Sequence, residues 1–251
     1  MKVSILQMDV IIGKPWVNLA KLKTMTEEIE DGLVVVPELF LTGYDQESIE
    51  KTAFSQEEGE YIGAVKEISE TKGISIYGSL AETDGENFYN TAVMIDGGKV
   101  LGKYRKSHLF GPMGEKKIFT HGRQISTVNL LNTTFGMSIC YDLRFPGIYQ
   151  KLAKLGSKIL LISAEWPVTR ISHWIALSRA RAIENQVFVI AVNRVGKDPN
   201  YTYGGNSAIF DPYGEVVIQL GDKEEQRTLD IDLSKIYEFK DKFDVVEDQW
   251  I

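Results

Sequence analysis

Twelve residues near the middle of the chain constrain its fold more than any others: Phe135-Gly136-Met137-Ser138-Ile139-Cys140-Tyr141-Asp142-Leu143-Arg144-Phe145-Pro146. The first five are short and largely apolar, so they predict a mostly buried strand. Ile148, Tyr149, Leu152 and Leu155 then form an apolar stripe at helical spacing. Pro146 suits the first helical position, where a missing N–H costs nothing, and Gly156 suits the stop. Cys140, the one cysteine of the chain, therefore falls between the carboxyl end of a strand and a helix. Ligands and chemistry collect at such ends in α/β sheets. Backbone N–H groups and a helix dipole there are expected to favour a thiolate.

A second strand end matches it. Leu33-Val34-Val35-Val36 is a continuous apolar run, the pattern of a strand covered on both faces. It stops at Pro37, which cannot donate to a ladder. Glu38 thus also sits at the carboxyl end of a buried strand, where an unpaired carboxylate is costly.

The rest of the chain alternates strands with helical patterns. Strands are predicted at residues 3–8, 74–80, 89–95, 100–104, 127–131, 158–163, 187–193, 207–210, 215–220 and 227–232. Leu19, Leu22, Met25 and Ile29 predict a helix that stops at Gly32, and further helices are predicted over 58–72 and 171–184. Gly97-Gly98 and Asp211-Pro212-Tyr213-Gly214 read as turns. The tail, 234–251, is polar with scattered apolar residues. No Pro/Ser-rich linker divides the chain, so residues 1–251 are expected to form a single domain. βαβ units mixed with hairpins suggest two mixed sheets between helix layers, an α/β sandwich.

Composition narrows the partners. A net charge of −7 argues against nucleic acid or an anionic membrane surface, which need a basic face. No segment reaches the length of a membrane-spanning helix. The first ten residues carry Asp9 and do not resemble a secretory signal. A single cysteine forms no internal disulfide, which fits a cytoplasmic protein. The three histidines lack partners at metal-ligand spacing, and Gly-rich phosphate loops are absent, so no cofactor or metal is expected.

Taken singly, the polar candidates also fit bland roles. Glu38 could be a loop charge, Lys106 part of a solvated run with Lys103, Arg105 and His108, and Cys140 a buried inert thiol. Together they make a chemical set. A thiol nucleophile needs a base, and a partly buried carboxylate with a raised pKa can serve. An ammonium and backbone N–H groups can stabilise an oxyanion, and the carboxylic acid can return the proton to a leaving amine.

Pro37-Glu38, Tyr104-Arg105-Lys106-Ser107-His108-Leu109 and Cys140-Tyr141-Asp142-Leu143-Arg144-Phe145-Pro146 resemble, in order and separation, the three signatures of the nitrilase superfamily. The likeness continues through Arg179-Ala180-Arg181-Ala182-Ile183-Glu184-Asn185, Asn193-Arg194-Val195-Gly196 and Asp211-Pro212-Tyr213-Gly214-Glu215, and so covers nearly the whole chain. The resemblance implies a four-layer αββα sandwich, paired as a homodimer, and a Glu-Lys-Cys triad working through a covalent thioester. Carried over by position, Glu38 is the general base and acid, Lys106 the transition-state cation and Cys140 the nucleophile. The N–H of Tyr141 completes the oxyanion hole, and Glu115 positions substrate or the attacking water. Asp142, Arg144 and His108 are expected to be structural.

The substrate class follows from the same resemblance. His108-Leu109-Phe110, the cysteine motif and Glu165-Trp166-Pro167 are most similar to the omega-amidase branch, which hydrolyses short dicarboxylic monoamides such as 2-oxoglutaramate. Small-molecule amide and water are then the partners, and Trp166 walls the pocket. The free carboxylate needs a cation or donors at the far end; Arg170 and Tyr203 are the candidates. N-carbamoyl amide hydrolysis, nitrile hydrolysis and a catalytically silent binding role remain the alternatives.

Overall fold

The computed structural model describes residues 1–246; positions 247–251 of the expected tail lie outside the described residues. The amino-terminal half runs β1 (Lys2–Gln7), α1 (Pro15–Met25), β2 (Gly32–Val35), α2 (Gln46–Thr52), α3 (Glu60–Lys72), β3 (Ile74–Thr83), β4 (Phe88–Asp96) and β5 (Lys99–Arg105). It continues with α4 (Glu115–Ile118), β6 (Thr127–Leu130), β7 (Thr133–Ile139), α5 (Pro146–Lys154), β8 (Ile159–Ala164), α6 (Ile171–Asn185) and β9 (Phe188–Asn193). The last elements are β10 (Val195–Lys197), β11 (Thr202–Gly204), β12 (Ala208–Phe210), β13 (Val216–Gln219), β14 (Glu225–Asp230) and α7 (Ser234–Lys240).

Twelve of these strands form two six-stranded sheets, ordered β14-β1-β2-β3-β4-β5 and β13-β12-β9-β8-β7-β6. Each has a parallel triplet at its centre, β1-β2-β3 in one and β9-β8-β7 in the other, with antiparallel strands outside it. Both sheets are therefore mixed. Alternation explains the apolar run of β2. Leu33 and Val35 join the interior shared with the second sheet, while Val34 and Val36 join the layer formed with α1 and α3. On the other side, Ile148, Tyr149 and Leu152 of α5 and Trp174 of α6 cover the second sheet. The order helix, sheet, sheet, helix is the expected αββα sandwich.

Two buried hydrogen bonds fix the sheets against each other near the strand ends that matter. Tyr77 Oη donates to the carbonyl of Ser138 at 2.9 Å, and Ser163 Oγ donates to the carbonyl of Val36 at 2.7 Å. These tie β3 to β7, and β8 to the end of β2.

Local departures from the sequence reading have local causes. The first helix occupies 15–25 rather than reaching Ile29. Pro15 opens it, and Thr26 closes it by donating its hydroxyl to the carbonyls of Leu22 and Lys23. Leu131 and Asn132, at φ 49° and 57°, make a two-residue hairpin turn, so β7 begins earlier than expected. The tail carries α7, which buries Ile236. Strands β10 and β11, too short for any periodicity, were not anticipated.

Gly78 on β3 is required by close approach: a Cβ there would lie 2.3 Å from Val36 Cγ2 and 3.0 Å from Phe40 Cδ1. Gly78→Ala is predicted to destabilise the protein by about 1–3 kcal/mol through overpacking. In a thermal melt Tm should fall by roughly 2–4 °C per kcal/mol. Because Val36 and Phe40 bracket Glu38, activity should fall with it.

Candidate active site

The carboxyl ends of four parallel strands meet across the two sheets. β2 leads to Glu38, β7 to Cys140, β8 to Glu165, and β9 to Arg194. Lys106 follows directly on β5, and Glu115 begins α4. Two of these ends turn on a left-handed residue that is not glycine: Leu39 at φ 42° and Cys140 at φ 44°. Such a conformation is costly for a side-chain-bearing residue and is held only by its surroundings. After β7 the chain enters a 3₁₀ turn, Cys140–Arg144, before Pro146 opens α5. Asp142 braces this elbow by accepting from the N–H of Ile139 at 3.0 Å and from Tyr104 Oη at 2.8 Å. It also accepts the His108 N–H and meets the His108 ring nitrogen, and that ring stacks on Phe145.

Lys106 is the hub. Its Nζ donates to Glu38 Oε1 at 2.6 Å and to Glu115 Oε1 and Oε2 at 2.8 and 2.9 Å, with all three side chains fully buried. Asn90 Nδ2 bridges the same carboxylates, 2.8 Å from Glu38 and 3.0 Å from Glu115. Tyr44 Oη donates to Glu38 Oε1 at 2.6 Å, and the N–H of Glu165 to Glu38 Oε2 at 2.9 Å. The N–H of Phe110 holds Glu115 Oε2 at 2.6 Å. The Cys140 thiol lies close enough to Glu38, Lys106 and Glu115 to feel the charge of all three.

Electrostatics sort the protons. Burial pushes Glu38 up, but Lys106 and the hydrogen bonds from Tyr44 and Glu165 outweigh it, and the net shift is downward. Glu115 moves the other way: burial and the Glu38 charge lift it despite Lys106. The raised pKa expected of the base thus belongs to its neighbour. Burial opposes the Lys106 charge, but the charges of Glu115 and Glu38 outweigh it and keep the ammonium protonated well above its usual range. Burial and the Glu38 charge drive the Cys140 thiol well above its ordinary value, with Lys106 opposing. The resting sulfur is therefore a neutral thiol. Burial and the charges of Glu38 and Glu115 thus outweigh the thiolate stabilisation expected from a nearby helix start, and α5 opens only six residues later. A neutral thiol beside an ionised carboxylate is arranged for proton transfer as the sulfur attacks, not before.

Cys140 opens onto a narrow cleft lined by Phe110, Met113, Tyr141, Trp166 and Arg170, with Arg144, Glu165 and Pro167. Trp166 forms one wall, held by its N–H to Asn193 Oδ1 and its indole N–H to the Arg170 carbonyl. Arg144 lies over the Trp166 ring and Arg170 over Phe110. The structure thus brings Glu38, Lys106, Glu115, Cys140, Tyr141, Trp166 and Arg170 together. It does not bring Tyr203. That side chain is 2% exposed, covered by Arg194, bonded to Asp198 at 2.5 Å, and absent from the cavity lining. The bridge between Pro167 and Tyr203 buries it behind the Trp166 loop.

Four residues of the site escaped the sequence reading. Arg144 was expected to be structural, yet it lines the cavity. Tyr44 and Asn90 lie in a turn and a strand without chemical pattern. Glu165, whose pKa burial lifts to about 7 against the Arg194 charge, sits like Glu38 and Cys140 at a strand end, a signal that was available. Among the described residues no group of three His, Cys, Asp or Glu side chains is placed to hold a metal.

A family model for carbon-nitrogen hydrolases matches residues 2–241, and the chain belongs to that family. It is 36% identical over 251 residues to the 2-oxoglutaramate amidase of Bacillus subtilis (strain 168), covering 98% of this chain and 96% of that one. It is 33% identical over 226 residues to the omega-amidase NIT2 of Homo sapiens, covering 85% and 81%. Among solved structures it is similar to a CN-hydrolase superfamily protein from Xanthomonas campestris, with a TM-score of 0.92 at 28% identity over 99% of this chain and 97% of that one.

Removing the hub exposes what it holds. Lys106→Met leaves two buried carboxylates facing each other and is predicted to cost about 3–5 kcal/mol near neutral pH. Without the ammonium, both folded-state carboxyl pKa values rise above their unfolded values. The variant should therefore recover stability as pH falls and the folded state takes up protons. Urea denaturation of both proteins at pH 8 and pH 5 checks this: the gap should narrow at pH 5.

Proposed function

We propose that this protein is an omega-amidase. It hydrolyses the terminal amide of 2-oxoglutaramate or a similar short dicarboxylic monoamide through a thioester on Cys140, releasing ammonia. One observation carries the reading: a thiol in the field of an ionised carboxylate opens onto a narrow cleft that also holds two guanidinium groups. Neither Arg144 nor Arg170 has a carboxylate partner among the described residues, in a chain of net charge −7. Two uncompensated cations beside an amide-cleaving thiol suit a substrate with an anionic far end. The names of the relatives support the same substrate class.

In this mechanism Glu38 takes the thiol proton as Sγ attacks the amide carbon. The Lys106 charge and the N–H of Tyr141, in the first turn of the 3₁₀ segment, stabilise the oxyanion. Glu38 returns the proton to the leaving nitrogen, and ammonia departs. Water then attacks the thioester, giving its proton to Glu38, which passes it back to sulfur as the acid leaves. Glu115 holds Lys106 and orients substrate or water. Trp166 walls the acyl chain, and Arg170 receives the carboxylate.

We propose that the protein works as a single domain, and the interior shared by both sheets supports this. We propose a homodimer and a cytoplasmic location. Exposed Ile183, Val216, Tyr237 and Phe243 around α6 and α7 support the first, and the lone cysteine the second.

Ammonia release should be strongest with 2-oxoglutaramate and short monoamides in a panel with neutral amides, nitriles and carbamoyl amino acids. Carbon dioxide released with ammonia would instead mark a carbamoyl hydrolase. Cys140→Ser should abolish turnover while the protein stays folded, and full activity after alkylation of Cys140 would overturn the mechanism. Arg170→Gln should raise KM for carboxylated amides roughly tenfold or more, with kcat on a neutral amide unchanged.

A further inference from the structure

The two oxygens of Glu38 are treated differently by the fold. Oε1 receives three donors: Tyr44 Oη at 2.6 Å, Lys106 Nζ at 2.6 Å and Asn90 Nδ2 at 2.8 Å. Oε2 receives one, the N–H of Glu165 at 2.9 Å. A carboxylate oxygen offers two lone pairs. Oε1 is over-subscribed, and the capacity left for the Cys140 thiol is on Oε2. We infer that Oε2 of Glu38 is the oxygen that carries the proton, and that Tyr44 and Asn90 are positioning residues that reserve it by saturating Oε1. The inference rests on Glu38 being the general base.

Tyr44 reaches this place through a tight turn. The N–H groups of Thr42 and Gly43 both donate to the carbonyl of Leu39, folding the chain back over Glu38. Gly43 has φ 56°, and a Cβ there would meet Ile12 Cδ1 at 2.2 Å, so the return depends on glycine. Burial and the charges of Glu115 and Glu38 keep the phenol protonated, so Tyr44 stays a donor. Asn90 is oriented by its two carboxylate acceptors, which leaves its Nδ2 no other arrangement with both satisfied.

The proton account closes on one oxygen. In acylation the S–H bond breaks, the proton moves to Oε2, and the C–S bond forms. The proton then passes to nitrogen as the C–N bond breaks. In deacylation water gives its proton to Oε2 as the C–O bond forms, and the proton returns to sulfur as the C–S bond breaks. Amide and water become acid and ammonia, and Oε1 stays bonded to its three donors throughout.

The test is the acid limb of the kcat/KM–pH profile. The groups facing Glu38 are Lys106 from the end of β5, Glu115 of α4, Cys140, Tyr44, and Glu165 with Arg194 behind it. Tyr44 and Asn90 donate to the charged form of Glu38, so losing either raises its pKa and moves the acid limb to higher pH. Tyr44→Phe, folded by thermal melt, should lower kcat about tenfold with KM little changed, and shift the limb upward by roughly one pH unit. The pH dependence of Cys140 alkylation by iodoacetamide should move in the same direction. Asn90→Ser is the second variant, and the two shifts should accumulate in the double variant. Lower activity with an unmoved limb in both variants would reduce Tyr44 and Asn90 to packing residues and overturn the inference. Glu38→Gln separates the two claims. If it is inactive while Tyr44→Phe is like wild type, only the reservation of Oε2 falls. If it retains activity, the general-base reading itself falls.

Discussion

One buried ammonium shared by two buried carboxylates governs this structure. Lys106, Glu38 and Glu115 have no solvent to fall back on, and the cluster carries one more negative than positive charge. That imbalance is stable because the two acids are not equivalent. Glu38 collects donors and stays ionised, while Glu115 moves toward the protonated form. The neutral thiol of Cys140 is a product of the same arrangement, since an adjacent anion and burial both oppose a second negative charge. The nucleophile is thus kept protonated at rest beside the group able to relieve it. Reactivity depends on an acyl carbon arriving, not on a standing thiolate.

Much of this is legible in the residues because Glu38, the proposed base, and Cys140 both end apolar strands. Leu33 to Val36 and Phe135 to Ile139 announce burial by composition, and the polar residue that breaks each run stands out against it. The αββα layering was legible from the mixture of βαβ units and hairpins together with the family resemblance, but the strand order was not. Nothing local in β1 or β14 says that residues 218 to 228 positions apart are paired. The charge states escaped as well. A buried carboxylate at the end of an apolar strand suggests a raised pKa, but the contact with a lysine 68 positions away, at 2.6 Å, reverses the shift of Glu38.

The substrate end was read less well than the chemical end. The family resemblance points to Trp166, and Arg170 follows directly on the Trp166 loop; both line the cleft, whereas Tyr203, picked for its loop, does not. Its short strand turns the ring inward to cover Arg194, a placement set by a two-stranded sheet too small to leave a periodic trace. Arg144 is expected to hold the elbow together with Asp142. Residues two apart on a 3₁₀ turn point in different directions, and Asp142 serves the scaffold while Arg144 meets the cleft.

The bonds from Tyr77 to Ser138 and from Ser163 to Val36 have a further consequence. Glu38 hangs from one sheet and Cys140 from the other, so the gap between base and thiol measures how the two sheets are stacked. Catalysis in such a molecule is a gauge of inter-sheet registry. A slide of a fraction of an ångström between layers would leave every helix, strand and ladder intact and still part the reacting atoms. Activity is therefore the most fragile property of this fold, and loss of function can precede any detectable loss of structure.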